Sequence, residues 1–303
     1  MELVLEASEV SKKFGGKIAL DGVSFNVPRG STFGIIGRNG AGKTTLIKLI
    51  LGFLRPTDGK LKVIGGRPGE NFARIGYLPE FSNYHPLFTG REYIMYLAEM
   101  SGLKSHAAAS RTEELLEMTS MAGEASNRRM ANYSKGMLQK IGIAQALLNF
   151  PEFVVLDEPF SGLDPFAQKE LRDIIASLKN KGATVLICSH ILSHLEKICD
   201  AVAVINKGRI IRHGDMASLL VSRGRYRLQV DKAPARLLGD LIEKRDLAPA
   251  DDGAYIIEEK IPGGKEAILK TLIDSGASIN GLAEARKTLD EFFNSAVSGR
   301  DGE

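Results

Sequence analysis

The run Gly37-Arg38-Asn39-Gly40-Ala41-Gly42-Lys43-Thr44 fits the pattern G-x-x-x-x-G-K-[ST] and follows the apolar strand-like stretch STFGIIG. A helical pattern opens directly behind it, at residues 43–53. That context is what a phosphate-cradling loop requires. Bare glycines let backbone N–H groups turn inward around phosphate oxygens, and the helix N-terminus adds its partial positive charge. In such a loop Gly37, Asn39, Gly40, Ala41 and Gly42 wrap the phosphates, and Lys43 reaches the β- and γ-phosphates. The hydroxyl of Thr44 is placed to ligate Mg²⁺, with Thr45 beside it. A second cluster lies in FVVLDEPFSGLD, where a buried strand runs into the adjacent carboxylates Asp157 and Glu158. Two acids at the end of a central strand are costly unless a cation or a polarised water awaits them. Asp157 suits the Mg²⁺ shell, and Glu158 can hold or deprotonate an attacking water. A third strand, TVLICSH, ends in His190, which could contact the γ-phosphate.

One further stretch is a poor version of what it first resembles. ANYSKGMLQKIGIAQALL opens as an amphipathic helix with Ser134 at the N-cap. Its first turn nevertheless carries Lys135 at the positive end of the helix dipole. Gly136 there costs about 1 kcal/mol against Ala.

The elements that must hold these residues alternate. Short strand-like runs fill the beginning, and Thr89-Gly-Arg-Glu92 reads as a capping box opening a helical stretch at 89–150. Strands and helices then alternate to about residue 210, which predicts a largely parallel α/β sheet with an antiparallel β region and a helical insertion. Beyond residue 220 the pattern reads β-α-β-α-β-α, a small α+β domain over 221–303. Residues 1–220 would form the larger domain.

Composition excludes several classes. The chain has 303 residues, a formal net charge of +3 and 25% charged residues. That is an ordinary soluble balance, too weakly basic to imply nucleic acid. Its two cysteines, Cys188 and Cys199, make no disulfide framework and suit a reducing compartment. No uncharged apolar run reaches the roughly 18–20 residues of a membrane span.

In order and spacing, the phosphate loop, helical insertion, SKG helix start, Asp-Glu pair, SGLD and His190 together resemble the ATP-binding subunits of ABC transporters, over residues 3–220. The resemblance implies a P-loop NTPase core that hydrolyses ATP with Mg²⁺. It places Phe14 as an aromatic stacked on adenine, Glu80 of GYLPE near Mg²⁺ or water, and Asp164 of SGLD at a dimer interface. It implies that Ser134 and Gly136 complete the ATP site of a second chain, in a head-to-tail homodimer. The partner would be an integral-membrane permease, making the protein cytoplasmic and peripheral on the inner face of the cell membrane. The segment 80–97 holds five of the chain's 20 Phe and Tyr residues and would border the permease docking groove.

Two motifs depart from the family pattern: Glu80 stands where Gln is usual, and the signature, usually Leu-Ser-Gly-Gly-Gln, reads Tyr133-Ser134-Lys135-Gly136-Met137, losing its first Gly and its Gln. GYLPE, YSKGM and the small C-terminal domain are similar to the type-2 exporter group. The competing class is a soluble ABC ATPase acting on the ribosome or DNA. The ribosomal type usually carries two cassettes in one chain, and the DNA type has a long coiled coil within its cassette. Neither fits one cassette with 89 residues between Thr44 and Ser134.

Overall fold

The computed structural model describes residues 2–244, 246–250, 253–259 and 263–298. These fall into two compact units. One takes in the chain to Met216 and the end of the last helix from Phe293; the other is Ala217–Phe292.

The first unit begins with strands β1 (Leu3–Phe14) and β2 (Lys17–Pro28), followed by β3 (Thr32–Ile36) and helix α1 (Lys43–Ile50). Strand β4 (Asp58–Val63) pairs back onto β1, giving an antiparallel sheet in the order β2-β1-β4. Strand β5 (Ile75–Leu78) precedes four helices: α2 (Gly90–Met100), α3 (Ser105–Met118), α4 (Glu124–Asn127) and α5 (Lys135–Ala146). This is the predicted helical insertion. Both expected caps are present. Thr89 and Glu92 form a reciprocal capping box, and the Ser134 hydroxyl accepts from the Met137 N–H at 3.2 Å.

Alternation then returns with β6 (Phe153–Asp157), α6 (Pro165–Asn180), β7 (Thr184–Ser189), α7 (Leu192–Ile198), β8 (Ala201–Asn206) and β9 (Arg209–Asp215). These strands complete a six-stranded sheet in the order β5-β6-β7-β3-β8-β9, parallel except for the β8–β9 hairpin. Every residue of β3, β6 and β7 is buried. Between their ends these strands are accordingly continuous apolar runs rather than alternating ones, as in a sheet covered on both faces. Cys188 and Cys199 are buried free thiols.

Parallel pairing has a functional consequence. It brings the carboxyl ends of β3, β5, β6 and β7 to one edge, where ligands bind in open α/β sheets. The register sets Ile36 level with Ser189 and Asp157 level with Cys188, so the phosphate loop, the acid pair and His190 leave the sheet side by side.

The second unit begins within the short helix α8 (Met216–Leu219). It contains β10 (Val221–Lys232), α9 (Ala235–Glu243), β11 (Leu247–Pro249), β12 (Tyr255–Glu258), α10 (Gly264–Asp274) and β13 (Ser278–Arg286); α11 (Leu289–Ser298) closes the described chain. The sheet order is β11-β12-β10-β13, all antiparallel. This is a β-α-β-β-α-β unit of the ferredoxin-like kind. It corrects the predicted β-α-β-α-β-α pattern in two ways. The three-residue edge strand β11 ends in Pro249 and is too short to show alternation. Glu284-Ala285-Arg286, predicted as helix, continues β13. Leu228, Leu241, Leu247, Ile257, Ile268 and Leu272 form this unit's own core. The last five residues of the predicted segment 221–303 lie outside the described residues.

Candidate functional site

A cavity of about 620 Å³ opens at the carboxyl edge of the large sheet. That is within the size range of pockets that hold small molecules. Of the predicted residues, Asn39, Gly40, Gly42, Lys43, Thr44 and Thr45 line one wall, and Glu80, Asp157 and Glu158 another. Phe14 lines the mouth with 46% of its surface exposed, and the Lys12 ammonium lies 5.2 Å from its ring. An exposed flat aromatic at a polar cavity is a stacking platform.

Gly42 shows why the loop needs its glycine. Its φ is +115°, and a methyl group there would lie 2.7 Å from Leu20 Cδ2 and 2.9 Å from the Ala19 carbonyl. The loop is therefore pressed against β2 and cannot carry a side chain at that point. Gly37 and Ala41 belong to the same loop without facing the cavity. Ala41 is buried, and its N–H donates to the Arg38 carbonyl.

Behind the loop lies a charged cluster. Lys43, Asp157 and Glu158 are only 7%, 3% and 5% exposed. The Lys43 ammonium donates to the Gly37 carbonyl at 2.7 Å and sits 3.1 Å from Glu158 Oε1. Oε1 gains an ion pair there but no aligned hydrogen bond. Glu158 Oε2 accepts from Ser189 Oγ at 3.1 Å, from the His190 N–H at 3.2 Å and from His190 Nδ1 at 2.8 Å. Glu158 itself holds φ +48°, left-handed geometry that non-glycine residues rarely adopt. Strain of this kind collects at functional sites, where surrounding bonds hold it.

The two neighbouring carboxyls titrate in opposite directions. Burial pushes Asp157 up, the Glu158 and Glu80 charges add to it, and Lys43 only partly opposes them; the result is about 6. Burial also pushes Glu158 up, but the His190 hydrogen bond and Lys43 outweigh it, so the carboxyl ends below its ordinary range. Glu158 is thus an anion at neutral pH with a positioned imidazole against it, as a water-holding base requires.

Several cavity residues escaped the sequence reading: Lys17, Ile18, Ala19, Arg38, Lys207 and Gly208. Arg38 is one of the four unspecified positions of the loop motif. Lys207 and Gly208 form the tip of the β8–β9 hairpin, which docks through Gly208 N–H to the Ala41 carbonyl and Asp21 N–H to the Gly208 carbonyl, both at 2.9 Å. No local spacing signals that approach. His194, four residues after His190, faces elsewhere, against Phe160 and Arg172.

Comparison with known proteins follows this geometry. The ABC transporter family profile matches residues 20–161. An ABC transporter ATP-binding protein of Nostoc sp. is 37% identical over 287 residues, covering 94% of this chain and 84% of the relative. The chain belongs to the ABC transporter ATP-binding family. A bacitracin transport ATP-binding protein of Bacillus licheniformis is 30% identical and is matched over 99% of both chains. The solved ATP-binding subunit of an ABC transporter superposes with a TM-score of 0.63 at 32% identity, covering 71% of this chain and 91% of that one. This ABC protein is therefore an ATP-binding and ATP-hydrolysing transporter subunit with a P-loop NTPase core.

Of the remaining predicted residues of this ABC subunit, His190 is not among the lining residues and stands behind Glu158, while Ser134, Gly136 and Asp164 do not line the cavity either. Ser134 and Asp164 instead cap neighbouring helices; the Asp164 carboxylate accepts from the Ala167 N–H at 2.9 Å. Among the described residues no helix is long and apolar enough to cross a membrane.

Proposed function

We infer that this chain drives a separate membrane permease by closing head-to-tail with a second copy over two ATP molecules. The observation that carries this is the separation of the site's two halves. The cavity holds the phosphate loop and the acids, while Ser134 and Gly136 stand outside it on the same chain. A two-fold arrangement lets each chain supply what the other's cavity lacks. ATP must then bind the closed pair better than the open chains, which is the linkage that turns binding into motion.

Within the cavity, Phe14 stacks on adenine and Lys43 meets the β- and γ-phosphates. Glu158 holds the attacking water, with His190 fixing its carboxylate and facing the γ-phosphate. Thr44 and Asp157 fit Mg²⁺, with Glu80 beside them. Burial first, and then the Glu158 and Glu80 charges, raise Asp157 to about 6, and a cation at this acid pair would relieve that cost. Among the described residues no three His, Cys, Asp or Glu side chains converge on one point. Thr44 and Asp157 would hold Mg²⁺ as oxygen ligands, and Mg²⁺ commonly takes only one or two protein oxygens beside substrate phosphates and water. When bound, Mg²⁺ neutralises charge on the phosphoryl oxygens.

Exposed Phe81, Leu87, Tyr96 and Met100 in and beside the segment 80–97 give the permease an apolar surface to dock on. The subunit then works at the cytoplasmic face of the membrane. Outward transport fits its likeness to type-2 exporters and to the bacitracin transport protein.

Mixing chains tests the shared site. Ser134→Arg and Lys43→Ala should each be inactive alone. In an equal mixture, half the dimers are mixed and each has one intact site, so about a quarter of the parental ATPase activity should return. A mixture as inactive as its components would overturn the two-chain reading.

A further inference from the structure

The first turn of α5 carries a lysine where its helix dipole opposes one. Lys135 is an exposed residue whose side chain folds back onto its own chain. It lies across Gly162 in the loop Ser161–Asp164 of its own chain. A methyl group on Gly162 would stand 2.5 Å from Lys135 Nζ and 3.4 Å from both Cδ and Cε. Gly162 holds φ +67°, which glycine adopts without strain, so its bare Cα presents a flat seat for the lysine stem. Among the described residues no carboxylate pairs with this ammonium. Nζ lies nearest Gly162 with Cδ and Cε beside it, so the whole outer half of the side chain makes the contact.

The contact heads a seam between α5 and α6. One residue on, a methyl group on Gly136 would meet Ala167 Cβ at 3.0 Å, so the two helices approach closely here. Further along, the buried Lys140 ammonium pairs with Glu170 at 2.9 Å. The loop is also tied to α6 from its own side, by the Asp164 cap and by Gln168 Nε2 donating to the Leu163 carbonyl at 2.9 Å. The helix caps Ser134 and Asp164 therefore belong to one packed unit.

We propose that Lys135 is a positioning residue. Its stem straps the Ser161–Asp164 loop to the start of α5, so that Ser134 and Asp164 are presented together and move together. The strap belongs to the single chain; its consequence for closure rests on the two-chain reading given above. The lysine thus does in cis what a glycine at that position could not do.

Hydrogen–deuterium exchange on the nucleotide-free chain separates stem from charge. Lys135→Gly removes the strap and should speed exchange in peptides spanning 161–166 about tenfold; Lys135→Met keeps the stem and should stay within about twofold of the parent. Nucleotide affinity of the single chain should not change, because Lys135 lies outside the cavity lining. In a Glu158→Gln background, Lys135→Gly should need about five times more ATP to dimerise than Lys135→Met. Unchanged exchange in Lys135→Gly, or equal acceleration in Lys135→Met, overturns the strap. If the Glu158→Gln parent never dimerises with ATP, the two-chain reading fails, and the exchange result alone decides the strap.

Discussion

Glu158→Gln is expected to lower ATP hydrolysis by about 10²–10⁴-fold, the usual range for losing a positioned base, and at the same time to tighten ADP binding. The second effect is the more discriminating. Lys43 is held by Glu158 at 3.1 Å, with both side chains nearly out of water. On the proposed reading nucleotide draws that ammonium toward its phosphates, so the Glu158 carboxylate would compete with the ligand for one cation. Gln keeps the size and the acceptor oxygen but gives up the charge. It leaves Lys43 buried without its counter-ion, which destabilises the empty chain more than the filled one. About tenfold tighter ADP corresponds to about 1.4 kcal/mol of that difference. ADP is the useful ligand because it cannot be hydrolysed further, so slower turnover cannot imitate tighter binding. Titration of a fluorescent ADP analogue, with urea unfolding of the empty chain beside it, gives both quantities. Weaker ADP binding in Glu158→Gln would show that the Lys43–Glu158 pair does not oppose the ligand.

This competition could not be read from the sequence, although both partners could. Lys43 and Glu158 each sit in a short motif whose neighbours announce its chemistry. What links them is the order β6-β7-β3, which places the ends of two sequence-distant strands at one edge. The same limit explains the cavity residues that escaped. Lys207 reaches the phosphate loop only because a hairpin folds over it, and nothing within ten residues of Lys207 encodes that. The helical insertion was legible because its capping box and its Ser134 cap are local devices with fixed offsets. Strand β11 was not, since three residues ending in proline carry no periodicity. Lys135 is an intermediate case. Its conflict with the helix dipole marked the position as unusual, but the reason, a glycine seat in another loop, lies in the packing of α5 on α6.

Asp157→Asn should separate the cost of an acid at this position from its use. In the empty chain the Asp157 carboxyl is lifted from 3.8 to about 6, first by burial and then by Glu158 and Glu80. A carboxyl lifted on folding favours the folded chain when protonated. Its contribution is complete below about pH 4, falls away as pH rises through about 6, and is absent at pH 7.5. The loss amounts to about 3 kcal/mol at most, at 1.36 kcal/mol per unit. Asn matches the shape and never ionises. Without divalent cation, Asp157→Asn should therefore unfold at higher urea than the parent at pH 7.5, by about 1–3 kcal/mol, with the two curves converging toward pH 4. Adding Mg²⁺ with ATP should reverse the order, because the parent then neutralises its carboxylate and the variant has no charge to offer. An Asp157→Asn chain less stable than the parent at pH 7.5 without cation would mean that the site tolerates its bare carboxylates. The conserved volume of Asn makes that outcome interpretable, since no cavity is opened to confuse it. A gain in stability matched by a loss of Mg²⁺ response would identify Asp157 as an acid kept at a folding cost for the cation it receives.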